Sequence, residues 1–107
     1  MLMEKYFLTA MKIFSKDEKV RVDYHCKYNE EKDEYEPEDE SFYVIRFTED
    51  DKMCDMEIHE DGSVLCGYRD KKNYKILSPK SDEESIKLAA NQMRQFMSGQ
   101  IMYNELE

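Results

Sequence analysis

Eleven consecutive residues, Glu30 to Glu40, hold eight carboxylates (Glu30, Glu31, Asp33, Glu34, Glu36, Glu38, Asp39 and Glu40) against Lys32 alone. Tyr35 and Pro37 are their only apolar groups. Such a stretch cannot enter a core, because desolvating that much charge costs far more than two apolar side chains return. It has to be an exposed loop or a projecting hairpin arm. It is long for a connection inside a small domain, and loops of that length tend to be functional or disordered. The remainder of the chain must build its fold on either side of it.

The acid resumes beyond an apolar run, Phe42 to Phe47, at Glu49, Asp50, Asp51, Asp55, Glu57, Glu60 and Asp61. Between Glu30 and Asp61, 15 acids face Lys32, Arg46 and Lys52, a net of −12 in a chain whose total is −9. Everything outside that window therefore sums to +3. The negative charge is segregated, which is a binding feature rather than a catalytic one. A net negative body repels nucleic-acid phosphates and anionic membrane surfaces. The partners it fits are basic protein surfaces, cations, or proteins that themselves bind nucleic acid.

A chain of 107 residues makes one domain, 1–107. Apolar content is 40 % and charged content 38 %, but eight Tyr and five Phe in periodic clusters indicate a folded chain. Three cysteines, Cys26, Cys54 and Cys66, form an odd set. With no signal-peptide pattern in Met1 to Lys5 and eight Met, this predicts a reducing, cytoplasmic setting. No apolar stretch approaches the ~20 residues of a membrane span.

Met3 to Phe14 reads as a helix, with Lys5, Thr9, Lys12 and Lys16 as a polar stripe and Met3, Tyr6, Phe7, Ala10, Ile13 and Phe14 opposite. The β-formers Tyr6, Phe7, Thr9, Ile13 and Phe14 leave a strand reading open. After a polar turn at Lys16 to Lys19, Val20 to Tyr28 alternates. Val20, Val22, Tyr24, Cys26 and Tyr28 share one face, and Arg21, Asp23, His25 and Lys27 the other, as in a half-buried antiparallel strand. Ser41 to Thr48 is apolar on both faces and reads as an interior strand. Met53 to Arg69 reads as a hairpin about Glu60-Asp61-Gly62. A two-residue loop would pair Ile58 with Leu65 and set Cys54 against Arg69. A three-residue loop with left-handed Gly62 pairs Ile58 with Val64, Met56 with Cys66 and Cys54 with Tyr68, and only this keeps one apolar face. Residues 70–75 form a basic connection, and Tyr74, Ile76 and Leu77 suit a short edge strand. Ser81 to Glu84 has the capping-box form, with Ser81 as the cap. The helix it opens lines Ile86, Ala89, Ala90, Met93, Phe96 and Met97 on one face and ends at Gly99. The tail 100–107 either docks or extends that helix.

Candidate chemistry is sparse. The three thiols lie on predicted inward faces while His25 and His59 point outward, so no metal site is expected. Free thiols acting as small apolar groups is the plainer reading. Glu49-Asp50-Asp51 and Asp55-Met56-Glu57 offer hard oxygens, but the EF-hand spacing is absent. No nucleophile elbow, phosphate-binding glycine loop or His-Glu-x-x-His occurs, and Glu57 or His59 beside Asp61 is an acid–base pair that many surfaces could supply. No cofactor and no enzymatic activity are expected. The carboxylates of the window, from Glu30 through Asp61, are the candidate partner-binding residues, with Tyr35 and Tyr43 as anchors. A charge run is more often a solvated face that keeps a protein in solution.

In layout the chain resembles small acidic phage-encoded inhibitors, including type II anti-CRISPR proteins that mimic DNA. The match is one of order: an N-terminal helix (Glu4 to Phe14), antiparallel strands (Val20 to Tyr28, Phe42 to Phe47, Cys54 to Ile58), acidic connections and a later helix (Asp82 to Met97). The Trp-free, Lys-, Glu-, Tyr- and Met-rich composition suits such a source. The strand Val64 to Tyr68, the basic segment 69–80 and the single C-terminal helix depart from that pattern. The resemblance implies occlusion of a nuclease's nucleic-acid groove, without catalysis, in the cytoplasm of a bacterial host.

The expected fold is α+β, an antiparallel sheet of four or five strands packed by the C-terminal helix and by an N-terminal one. The expected function is an acidic protein-binding inhibitor. The alternative is a small assembly protein that self-associates, as a homodimer, through a sheet edge, the tail or the basic segment.

Overall fold

The computed structural model of the chain describes residues 2–14, 19–25, 27–29, 34–36 and 42–107, with 25, 27–29 and 34–36 described by their backbone. The segment that admitted two readings is a helix, α1 (Leu2–Phe14). Met3, Tyr6, Ala10 and Phe14 recur at steps of three and four and are buried. Thr9 belongs to this face and not to the polar stripe. Its Oγ1 donates to Lys5 O at 2.9 Å, so the hydroxyl is satisfied inside its own helix and can be buried.

Among the described residues seven strands follow: β1 (Val20–His25), β2 (Lys27–Asn29), β3 (Glu34–Glu36), β4 (Phe42–Glu49), β5 (Lys52–His59), β6 (Val64–Asp70) and β7 (Asn73–Leu77). Five form one antiparallel sheet in the order β1-β4-β5-β6-β7. The helix α2 (Glu83–Met97) and a 3₁₀ turn at Tyr103–Glu105 complete the chain. The architecture is α+β, with both helices on one face of the sheet.

The expected single strand Val20 to Tyr28 is divided. β1 ends opposite Phe42, where the apolar run of β4 begins. Beyond that point Lys27, Tyr28 and Asn29 pair with Glu36, Tyr35 and Glu34 in a separate two-stranded ladder. Period-two alternation reports that backbone is extended, not which strand it pairs with. Cys26 lies outside the described residues. The apolar face of β1 is also less covered than its alternation implies. Val22 and Tyr24 pair with Ile45 and Tyr43 on the helix side, yet they are 40 % and 45 % exposed. β1 is an edge strand, and the helices do not reach over it.

The β5–β6 hairpin takes the three-residue loop. Ile58 pairs with Val64, Met56 with Cys66 and Cys54 with Tyr68, and Gly62 has φ 91°. Asp61 Oδ1 accepts from Ser63 N at 2.9 Å and from Ser63 Oγ at 2.6 Å, which closes the turn. These two bonds hold the Asp61 carboxyl below its ordinary range. The predicted edge strand is present as β7.

α2 is capped one residue later than its sequence pattern indicates. Asp82, in extended conformation, accepts from Ser85 N at 2.8 Å, while the Ser81 carbonyl accepts from Tyr6 Oη at 2.6 Å. An ionised carboxylate is the stronger acceptor at the positive helix end, so Asp82 outcompetes the Ser81 hydroxyl. Gly99, at φ 81°, ends the helix as expected.

The core lies between the helices and the sheet. Phe14 meets Phe47 edge-on at 5.0 Å, and Phe96 meets Tyr68 at 5.3 Å. The tail docks: Leu106 is buried, and Lys75 Nζ donates to its carbonyl at 3.3 Å while lying 5.0 Å from the Tyr103 ring centroid. Lys52 Nζ reaches the Phe96 carbonyl at 3.1 Å, a cation at the negative end of α2. No helix among the described residues is long and apolar enough to cross a membrane.

Candidate functional site

The face of the sheet away from the helices carries Arg46, Asp55 and Glu57 of the acidic window. Strand register arranges its residues in rows. Arg21, Arg46, Asp55, Gly67 and Ile76 form one row across all five strands. Asp23, Val44, Glu57 and Leu65 form the next, and Phe42 and His59 the one beyond. On the other side lie Thr48, Met53, Arg69 and Tyr74. Val44, on this face, is only 2 % exposed.

Asp55 and Glu57 have partners from their own chain. Asp55 Oδ2 is 3.9 Å from Arg46 Nε, and the Asp55 carboxylate also accepts from the Gly67 N–H. Burial raises the Asp55 carboxyl above its ordinary range; Arg46 opposes that shift, the Glu57 charge adds to it, and the Gly67 bond opposes it. His59 Nε2 stands 3.2 Å from Glu57 Oε2, and its ring stacks on Phe42 at 4.6 Å. Asp61 turns to Ser63 rather than to His59 or Glu57. Of the arginines in these rows, Arg46 lies inside the acidic window in sequence and Arg21 outside it. The alternation of β1 places Arg21 on this face, but only register reveals what it stands beside.

The acidic window does not form one patch, because β5 separates its two turns by the full length of a strand. Glu49, Asp50 and Asp51 lie at the β4–β5 end. There Glu49 pairs with Lys19, and the Asp51 carbonyl accepts from Lys71 N at 3.0 Å, bringing the acidic turn against the basic Lys71–Lys72 turn. Glu60 and Asp61 lie at the opposite end. That is also the end from which the β2–β3 hairpin departs, since it is inserted between His25 and Phe42, a terminal pair of the sheet. Glu34, Tyr35 and Glu36 form β3 of that hairpin; Glu30, Glu31, Asp33, Glu38, Asp39 and Glu40 lie outside the described residues. Tyr43 is on the helix side, stacked on Phe7 at 4.2 Å and against Tyr24 at 4.9 Å.

Cys54 and Cys66 are buried in the helix-facing core, where burial and the Asp55 charge push the Cys66 thiol up to about 12. A thiol so raised stays protonated at neutral pH. Burial, with the neighbouring thiols, likewise raises Tyr68, whose hydroxyl has no hydrogen-bond partner among the described residues. Among the described residues no three His, Cys, Asp or Glu converge as a metal site. A groove of about 470 Å³ between the end of β4 and the last turns of α2 is lined by Glu49, Asn91, Arg94 and Gln95, which bring no activated nucleophile together.

Comparison of the chain with models of known families, with curated proteins and with solved structures finds no match.

Proposed function

We propose that the protein is a non-catalytic binding module that presents carboxylates to the basic groove of a nucleic-acid-binding protein and so occludes it. The observation that carries this reading is the β2–β3 hairpin. It is a ladder of its own, inserted at one end of the sheet, and the segment it spans bears eight acids against Lys27 and Lys32. Its end of the sheet also holds Glu60 and Asp61. At the far end, Glu49 pairs with Lys19, and the Asp50–Asp51 turn is held by a backbone bond beside the turn that carries Lys71 and Lys72. The recognition surface is therefore the hairpin end rather than the whole acidic window. Carboxylates there supply fast, salt-sensitive attraction to a phosphate-binding surface. Tyr35, opposite Tyr28 in the ladder, supplies apolar contact.

The test neutralises Glu34, Glu36, Glu38 and Asp39 together, as Gln or Asn, and compares capture from host-cell lysate with that of the wild type. The expected result is a nucleic-acid-binding protein recovered by the wild type alone and displaced by duplex DNA, with the melting temperature of the variant nearly unchanged. Equal recovery by both would sink the proposal.

A further inference from the structure

We infer that the free edge of β1 is a self-complementary dimer interface, with a second copy of the chain pairing β1 against β1 in antiparallel register about Val22. This goes beyond the acidic-arm reading and stands independently of it. Among the described residues β1 pairs with β4 only, so its outer N–H and C=O groups form an open edge. Apolar side chains lie along that edge partly exposed, Val22 at 40 % and Tyr24 at 45 %. Among the described residues, neither Arg21 nor Asp23, on the other face, has an ion-pair partner within the chain.

Charge then selects both the occupant and the register. In a two-fold antiparallel pair, Val22 opposes its own copy, Val20 opposes Tyr24, and Arg21 opposes Asp23 twice over. Slipping by two residues sets Arg21 against Arg21 or Asp23 against Asp23, which opposes like charges. Slipping by one puts the apolar and charged faces on opposite sides of the sheet. Of these registers the centred one satisfies both faces. It also relieves Arg21, whose cross-strand neighbour inside the chain is Arg46. Such a contact is isologous and closes on itself. The joined sheet would have ten strands, with the β2–β3 hairpins at opposite ends of the seam.

The other edge lacks this property. β7 centres on Lys75 and follows Lys71 and Lys72, so pairing with its own copy would gather like charge. Lysines on an edge strand discourage that pairing.

The experiment is sedimentation equilibrium from micromolar to millimolar protein with four samples: wild type, Arg21→Asp, Asp23→Arg and the double exchange R21D/D23R. The wild type is expected to dimerise. Each single variant sets like charges opposite each other at both ends of the seam and should weaken the dimer at least tenfold. The double exchange should restore it, and an equimolar mixture of the two single variants should form a heterodimer. Recovery on exchange separates register pairing from misfolding. A monomeric wild type across the range would overturn the proposal, and so would a dimer that both single variants leave intact.

Discussion

The Asp55 carboxylate lies over the backbone of Gly67, and a Cβ at that glycine would stand 2.8 Å from Asp55 Oδ1 and 3.2 Å from Tyr74 Oη. Gly67 is therefore required by close approach on the open face, not by backbone conformation. Gly67→Ala is expected to lower stability by about 1–3 kcal/mol, the usual cost of overpacking. Chemical denaturation checks this. Gly67→Ala combined with Asp55→Ala should recover part of the loss, since the shorter side chain vacates the space.

The raised Asp55 carboxyl fixes the sign of a pH effect. Its folded pKa exceeds the unfolded value, so the fold favours the protonated form and ionisation costs stability. That cost is absent below the unfolded value of about 3.9 and fully present above the folded pKa. Asp55→Asn imitates the protonated form. It should raise the melting temperature at pH 7, with the gain shrinking as pH falls toward about 4. A lower melting temperature at pH 7 would contradict the assignment.

Gly62 is constrained in a different way. Its φ of 91° closes the β5–β6 loop, and a Cβ there would meet Leu2 Cδ1 at 3.2 Å. Gly62→Ala should cost about 1–2 kcal/mol from the left-handed conformation alone. Asn tolerates that conformation better, so Gly62→Asn should lose less, as read by thermal unfolding of the three proteins.

The hydroxyl of Tyr6 ties the first helix to the entry of the second through Ser81 O, at 2.6 Å and 75 residues away in sequence. Tyr6→Phe keeps the buried ring and removes the bond, at an expected cost of about 0.5–1.5 kcal/mol. Amide exchange in the first turn of α2 should rise more than in its middle. Uniform protection along α2 would show that the bond does not anchor the helix start.

The elements that were legible in the sequence are those whose signal is local. Steric preference at Gly62 and the need to keep Ile58, Met56 and Cys54 on one face determine the hairpin loop. The apolar faces of both helices followed from their spacing. What escaped was decided by partners. Val20 to Tyr28 alternates as one strand, yet its backbone serves two different ladders, because the apolar run of β4 starts only at Phe42. Ser81 and Asp82 are both competent caps, and the helix takes the carboxylate, the stronger acceptor at its positive end. The acidic run looked continuous in sequence. In space Asp55 meets Arg46 and Gly67, Glu57 meets His59, and Asp50 and Asp51 turn beside Lys71, so linear charge density overstated the free surface at all but one end of the sheet.

His25 and Phe42 are neighbours across two strands, although 16 residues separate them in the chain. The two-stranded ladder is thus an appendix on an otherwise simple meander, whose remaining sheet contacts join strands consecutive in sequence. Closing a longer or shorter insertion there changes the entropy of the fold slowly, by about 0.6 kcal/mol per doubling of length. The domain can therefore be rewritten at this position, lengthened, recharged or reduced to a tight turn, while the meander folds as before. Whatever the hairpin touches can change over generations without renegotiating the core that carries it.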